Sequence, residues 1–263
     1  QRDWDVIVVG AGNAALAAIK SVSQHNKNNH GKEVTLRVFV GKNIPSEKLV
    51  RLESQITNHG SQITVEQSER PKQSAFQLEK EGEAKFLRQS TDDLALEGYH
   101  ELAIELNKIP NLQAIFIPTS SGTTAQALGE TFITFNQHPQ IHIAQTVACH
   151  PIVDCLTDFS AFPADQSVTP NNEMRSSELS PQTKFAPIQS MAGAIVDHIA
   201  HRKAKVAEVV KQSGGAGWIV TDDEIKDAIH IVKQTTNIDI SPNSALSVAG
   251  LKKAVQNGFK PTG

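Results

Sequence analysis

Short β-branched runs alternate along this chain with longer stretches of mixed polar and apolar residues, the pattern of strands interleaved with helices. The first run, Asp5-Val-Ile-Val-Val, has the bulk of a buried parallel strand. Gly10 and Gly12 follow it, and glycine lets a backbone bend sharply and approach a ligand where a side chain would block it. A helix opening at Asn13 would aim its first amides at that ligand. Ala14 to Ser23 predicts the body of that helix, and Gln24 to Lys32 a polar loop. Val34-Thr-Leu-Arg-Val-Phe-Val predicts a second strand, Ser46 can cap a helix through Leu49, Val50 and Leu52, and Gln62-Ile-Thr-Val-Glu predicts a third strand. The order β-α-β-α-β implies a parallel sheet with right-handed crossovers.

Further along, Gln73 to Arg88 reads as a helix, Gln89 to Leu96 as a polar loop, and Glu97 to Leu106 as a helix that Pro110 ends. Ala114-Ile-Phe-Ile-Pro predicts a strand that delivers Thr119-Ser-Ser-Gly-Thr-Thr onto a helix from Ala125 to Phe135. Ile141 to Val147 predicts another strand, and Phe159 to Phe185, rich in Pro, Ser and Asn, a long surface excursion. Ser190 to Lys211 predicts a long helix. Gly214-Gly-Ala-Gly then leads into the strand Trp218-Ile-Val, and Thr221-Asp-Asp-Glu is a capping box for the next helix. A turn at Ile240-Ser-Pro-Asn-Ser opens a final helix to Asn257.

Composition narrows the class. With 263 residues, 39% hydrophobic and 20% charged, the chain is long enough for a sizeable core and ordinary for a soluble enzyme. A net charge of −3 gives no footing for nucleic acid or an anionic membrane. No apolar run approaches the roughly 18 residues of a membrane span, and no signal-peptide pattern opens the chain. Two cysteines, Cys149 and Cys155, make no disulfide framework and fit a reducing compartment, so a cytoplasmic α/β protein is expected. The chain starts at Gln1 and enters a core strand almost at once, which suggests missing upstream sequence.

Two phosphate-binding readings compete. Gly10-x-Gly12-x-x-Ala15 satisfies a dinucleotide fingerprint, but the acid that should end the second strand is replaced by Val40-Gly41-Lys42. Lys42 could meet a 2′-phosphate, so an NAD(P) or FAD oxidoreductase stays open as the weaker reading. The other candidate is Ser120, Ser121, Gly122, Thr123 and Thr124 between a strand and a helix, a cradle of small residues, amides and a helix dipole suited to one phosphate. It lacks the Lys-Ser/Thr pair of a nucleotide P-loop, and by itself it fits a tight, hydroxyl-capped turn equally well. Cys149-His150 with Cys155 matches no zinc spacing and is better read as a strand end with small buried thiols. His198 and His201, one turn apart on the expected long helix, are better read as a solvated face. No metal site is expected.

The order of these segments resembles the fold-type II pyridoxal-phosphate enzymes, the family of threonine synthase, threonine dehydratase, cysteine synthase and tryptophan synthase β. Ala11-Gly-Asn-Ala resembles the family's Ser-Gly-Asn loop, and Val38-Phe-Val-Gly-Lys-Asn-Ile-Pro-Ser-Glu-Lys resembles the strand and helix after it. Glu97-Gly-Tyr-His-Glu-Leu-Ala-Ile-Glu-Leu, running on to Ile117-Pro-Thr-Ser-Ser-Gly-Thr-Thr, resembles the approach to the phosphate loop. Val220-Thr-Asp-Asp-Glu-Ile and Ile240-Ser-Pro-Asn-Ser-Ala-Leu resemble the C-terminal signature, nearest to threonine synthase. The likeness covers nearly the whole chain. It implies an α/β fold of two open parallel-sheet subdomains with helices on both faces: a small cofactor and substrate-loop domain over residues 1–85 and a large phosphate-binding domain over 86–263. The implied cofactor is pyridoxal 5′-phosphate. Asn13 would bond its 3′-oxygen, and Ser120 to Thr124 would hold its phosphate. Ser244 would bond its pyridine nitrogen, and the loop of Ala11, Gly12 and Ala14 would bind the substrate carboxylate.

The resemblance also exposes departures. The family's Schiff-base lysine lies in a Ser-x-Lys segment upstream of the Asn loop, yet no lysine precedes Asn13 here. A fragment completed by a separate N-terminal piece, a truncation and a lysine-less binding protein are the three explanations, the first favoured because the absent part should also supply core strands. Ser120 and Thr123 stand where glycines are common, and Ala11 where serine is frequent. The expected function is an amino-acid lyase or synthase of the threonine synthase kind, acting on O-phosphohomoserine by elimination and replacement. A serine/threonine dehydratase or a cysteine synthase-like enzyme is the alternative. A small amino-acid substrate and a homodimer are the expected partners.

Overall fold

A computed structural model of the chain describes residues 5–10, 12–29, 31, 33–56, 62–158 and 189–261. Ala11 and the excursion expected over Phe159 to Phe185 lie outside the described residues. The chain divides into two compact units, Gln1–Arg88 and Gln89–Gly263, each with its own parallel sheet.

The first unit runs β1 (Val6–Val9), α1 (Asn13–Asn28), β2 (Leu36–Gly41), α2 (Ser46–Ile56), β3 (Ile63–Ser68), α3 (Pro71–Lys80) and β4 (Lys85–Phe86). Its strands lie in the order β3-β2-β1-β4, all parallel. Successive side chains leave a strand on opposite faces, and both faces here are apolar. Val8, Leu36, Val38 and Val40 pack on Ala15 and Ile19 of α1 and Leu52 of α2, whereas Ile7 and Phe39 pack on Ala75 of α3. Helices therefore cover both faces of the sheet. β1 has β2 on one side and β4 on the other, so strand order reverses at β1, and the carboxyl end of such a strand is where open α/β sheets bind ligands.

Two expectations fail in this unit. α1 does not end at Ser23 but continues to Asn28, because the Asn26 side chain finds partners: its amide donates to the Val34 carbonyl at 2.9 Å and its oxygen accepts the Val34 amide at 2.8 Å. The helix expected from Gln73 to Arg88 stops at Lys80. Gly82 at φ 72 reverses the chain, and Lys85 and Phe86 pair with Val6 and Ile7 instead.

The second unit runs α4 (Leu94–Glu97), α5 (His100–Leu106), β5 (Ala114–Pro118), α6 (Thr123–Thr134), β6 (Gln140–Thr146), α7 (Pro151–Asp158), α8 (Lys203–Gln212), β7 (Gly217–Val220), α9 (Asp222–Thr236) and α10 (Pro242–Gln256). The strands are parallel in the order β5-β6-β7. Ile117, Ile141 and Ile143 face Leu128, Ile152 and Val206 of α6, α7 and α8, while Ala144 and Val220 face Ile225, Ala245 and Leu246 of α9 and α10. Thr221 caps α9 as its sequence promised: its hydroxyl accepts the Glu224 amide at 3.2 Å and the Glu224 carboxylate accepts the Thr221 amide at 2.8 Å.

The long helix expected from Ser190 to Lys211 does not form before Lys203. Side chains elsewhere take its amides. The Met191 amide donates to Asp222, Ala194 to Asn243 Oδ1 at 3.0 Å, Val196 and Asp197 to Ser120 Oγ at 3.2 Å each, and Ala200 to Asp197 Oδ1 at 3.0 Å. Ala200 itself adopts φ 45, a left-handed conformation that no helix contains. His198 and His201 consequently do not share a helical face. Cys155 lies on α7, a helix the sequence did not suggest, and is not a strand-end thiol.

His142 on β6 is buried against Phe116, with ring centroids 4.3 Å apart. Its Nδ1 accepts from the Ala216 amide at 3.1 Å and from Trp218 Nε1 at 3.2 Å, which places the ring proton on Nε2, 3.1 Å from Gln140 Oε1. Burial lowers its pKa from 6.5 to about 4. Within that window the unfolded chain binds a proton the folded chain refuses. Stability is therefore full above the upper value and falls as the pH drops toward the lower one, by at most about 3 kcal/mol. Denaturant unfolding across the window should show this loss, and His142→Gln should show less of it.

Candidate functional site

The loop after β5 is held from behind. The Thr119 amide donates to the Ala144 carbonyl at 2.9 Å, and the buried Gln145 amide donates to the Thr119 carbonyl at 3.1 Å. Gln145 Oε1 also accepts the Ile152 and Val153 amides at 3.0 Å each, so one side chain ties the loop entry to the first turn of α7. Gly122, at φ 92, closes the turn and caps α6. Among the described residues nothing accepts the amides of Ser121, Gly122, Thr123, Thr124 or Ala125. These donors, with the dipole of a helix of 12 residues, make an anion seat.

The hydroxyls divide the work unevenly. Ser120 Oγ already accepts two amides, so only its proton is left to offer. Thr123 Oγ1 donates to the Gln89 carbonyl at 3.1 Å, and Ser121 Oγ, 3.1 Å from Thr123 Oγ1, must then be the donor of that pair. Ser121 and Thr123 thus present their amides, not their side chains.

Ser120 to Thr124 line a cavity of about 320 Å³ together with Asn243 and Ser244 at the start of α10. Ser241 caps that helix by accepting the Ser244 amide at 3.2 Å, with Pro242 in the first turn, and the exposed Ser244 hydroxyl lies 3.1 Å from Ser241 Oγ. Thr119, Gln89 and Tyr99 add to the polar lining, and among the described residues none that lines the cavity carries a carboxylate or an ammonium group. Neutral donors without a carboxylate suit a phosphate monoester, and the group implied by the sequence fits this seat on that ground. The Cys149 thiol is pushed up in pKa by burial, and further by Asp197, which keeps it protonated and a poor nucleophile.

Gly12, Asn13 and Ala14 belong to the first unit. The sharp bend there is at Gly10, φ 119, and not at Gly12, whose φ of −95 is ordinary. A Cβ on Gly12 would meet nothing within 4 Å. Asn13 begins α1 and is exposed, and its side chain makes no hydrogen bond among the described residues, so that side chain is not used in capping the helix. Lys42, which a 2′-phosphate would need, is paired with Glu69 at 2.7 Å. Among the described residues no cluster of three or more His, Cys, Asp or Glu could hold a metal, and no helix is long and apolar enough to cross a membrane.

Sequence reasoning missed Gln145 and Asn243, and did not single out the buried Arg202, whose guanidinium donates to the Gln89 carbonyl behind Thr123. Gln145 had no distinguishing signal, since its strand also carries Gln140, His142 and Thr146. Arg202 had none, because the surrounding stretch looked like a solvated helix.

The family described as pyridoxal-phosphate dependent enzyme matches residues 2–262. Threonine synthase of Methanocaldococcus jannaschii is 26% identical over 183 residues, which make up 66% of this chain but only 40% of that protein. The structure of maize serine racemase superposes with a TM-score of 0.67 at 14% identity, covering 96% of this chain and 68% of that one. The processed form of threonine deaminase isoform 2 from Solanum lycopersicum superposes with a TM-score of 0.69 at 16% identity, covering 95% and 64%. At those identities the two structures speak for the fold alone.

Proposed function

Because this chain belongs to the pyridoxal-phosphate-dependent enzymes, with pyridoxal 5′-phosphate as its cofactor, we propose that the full-length protein performs elimination and replacement on an amino acid with a leaving group beyond its α-carbon, converting O-phosphohomoserine and water to threonine and phosphate. The observation that carries this reading is that Ser120 to Thr124 and Ser244, far apart in the sequence, line one cavity with no charged group among its described lining residues. The sequence likeness to a threonine synthase supports the finer choice of substrate.

When bound, the cofactor supplies an electron sink for charge at the substrate α-carbon. The chain's own residues bind and orient. The amides of Ser121 to Ala125 and the Ser120 hydroxyl would hold the phosphate at the α6 N-terminus. The Ser244 hydroxyl would bond the ring nitrogen without supplying the negative charge that keeps such a nitrogen protonated. A less protonated ring draws electrons less strongly, which suits loss and replacement of a leaving group better than amino-group transfer. For Asn13 at the 3′-oxygen, and for Gly12, Ala14 and Ala11 at the substrate carboxylate, the proposal rests on the resemblance of their loop. On this reading residues 1–85 carry the substrate loop and residues 86–263 the phosphate seat.

Incubating the full-length protein with O-phosphohomoserine should release phosphate and threonine in equal amounts. Serine or threonine turned into 2-oxo acid and ammonia, with no threonine made from O-phosphohomoserine, would instead establish a dehydratase.

A further inference from the structure

Arg202 is the least expected group near the phosphate loop. Its side chain is 6% exposed, and every N–H of its guanidinium is used. Nε and Nη2 donate to the Gln89 carbonyl at 3.2 and 3.0 Å, Nη2 also to the Asp92 carbonyl at 2.8 Å, and Nη1 to Asp93 Oδ1 at 2.8 Å and Gln126 Oε1 at 3.0 Å. It does not line the cavity, yet it lies directly behind the loop: a Cβ on Gly122 would sit 3.5 Å from Arg202 Cβ. The Gln89 carbonyl that it holds also accepts the Thr123 hydroxyl at 3.1 Å, and the backbone N–H of Gln126, whose side chain it also holds, donates to the Gly122 carbonyl at 3.0 Å. Arg202 thus holds the Gln89 carbonyl behind Thr123 and the Gln126 side chain in the first turn of α6, next to the free amides.

Its charge is poorly compensated. Among the described residues Asp93 is the one carboxylate in contact with it, and that side chain is 84% exposed, so water screens much of its charge. Glu130 reaches only the Gln126 amide, one residue removed from the guanidinium. A buried cation with a solvated partner leaves a positive field at the base of the loop, where an anion would be its second counter-charge.

We propose that Arg202 is the cationic positioning residue of the phosphate seat, acting on the cofactor phosphate through the Gln89 carbonyl that also holds Thr123 and through its buried charge. This rests on the assignment of the Ser120–Thr124 loop to the cofactor phosphate. The measure is the ratio of affinities for pyridoxal 5′-phosphate and for pyridoxal, which lacks the phosphate. A merely structural role moves both affinities together and leaves the ratio alone.

In the full-length protein Arg202→Gln should lower the ratio roughly tenfold, and Arg202→Lys, which keeps the charge but not the fork, should restore part of it. Asp93→Asn removes the exposed counter-charge and should raise the ratio about two- to threefold. That variant changes a solvated side chain, so it keeps the test open should Arg202→Gln not fold. A folded Arg202→Gln with the wild-type ratio, or Asp93→Asn with a ratio unchanged or lowered, would overturn the proposal. A wild-type protein that binds pyridoxal as tightly as its phosphate would show that the loop assignment itself has failed, a separate result.

Discussion

Gly122→Ala is expected to weaken pyridoxal 5′-phosphate binding by more than about a hundredfold and to destabilise the second unit by about 2–4 kcal/mol. Two effects combine. At φ 92 an alanine is strained, and its Cβ would stand 2.6 Å from Val206 Cγ2 and 3.3 Å from Ile152 Cδ1. Val206 and Ile152 are fully buried, so neither has a free direction in which to retreat. The turn must therefore move outward, carrying the amides of Ser121 to Ala125 away from a common focus. Calorimetric titration with pyridoxal 5′-phosphate, alongside thermal unfolding, reads the two effects separately. Binding at wild-type strength in a folded variant would argue that the phosphate lies elsewhere.

Gly215→Ala is expected to cost the most in stability, about 4 kcal/mol or more, enough to leave the second unit largely unfolded under mild conditions. A Cβ there would stand 1.9 Å from the Ile141 carbonyl oxygen and 2.6 Å from its carbon. Those are backbone atoms of β6, the central strand, which β5 and β7 pin from both sides. No rotamer change relieves such a contact. Gly12→Ala provides the contrast: with ordinary φ and nothing within 4 Å, its stability change should stay within about 0.5 kcal/mol. Urea unfolding of the three proteins would check the ranking, and a stable Gly215→Ala would contradict the described packing around β6.

Both glycines were visible in the sequence, but only one for the right reason. The Ser/Thr-Gly loop between strand and helix could be read directly, because its residue types and its place after a β-branched run follow from local chemistry. Gly214-Gly-Ala-Gly could be recognised as a loop into a strand, whereas the pressure of Gly215 on the Ile141 carbonyl depends on two segments far apart in the chain. The same limit explains the segment from Ser190 to Arg202. Its alanines and isoleucines have helical spacing, and nothing local reveals that Asp222, Asn243 and Ser120 will take its amides. Long-range acceptors override a local preference. Strands were more readable than helix ends: a run such as Val6 to Val9 must be buried on both faces, while the end of α1 hinges on a single Asn26 side chain meeting Val34. In the site, polar side chains that face a cavity were readable by type, but those that hold the cavity from behind, Gln145 and Arg202, were not.

Amide NMR of the full-length protein during addition of pyridoxal 5′-phosphate addresses the phosphate seat most directly. The amides of Ser121 to Ala125 should show the largest shifts in the second unit, with Ser244 responding and pyridoxal alone reproducing only the Ser244 part. Saturable binding that leaves the amides of Ser121 to Ala125 unmoved would contradict the assignment of this loop to the cofactor phosphate.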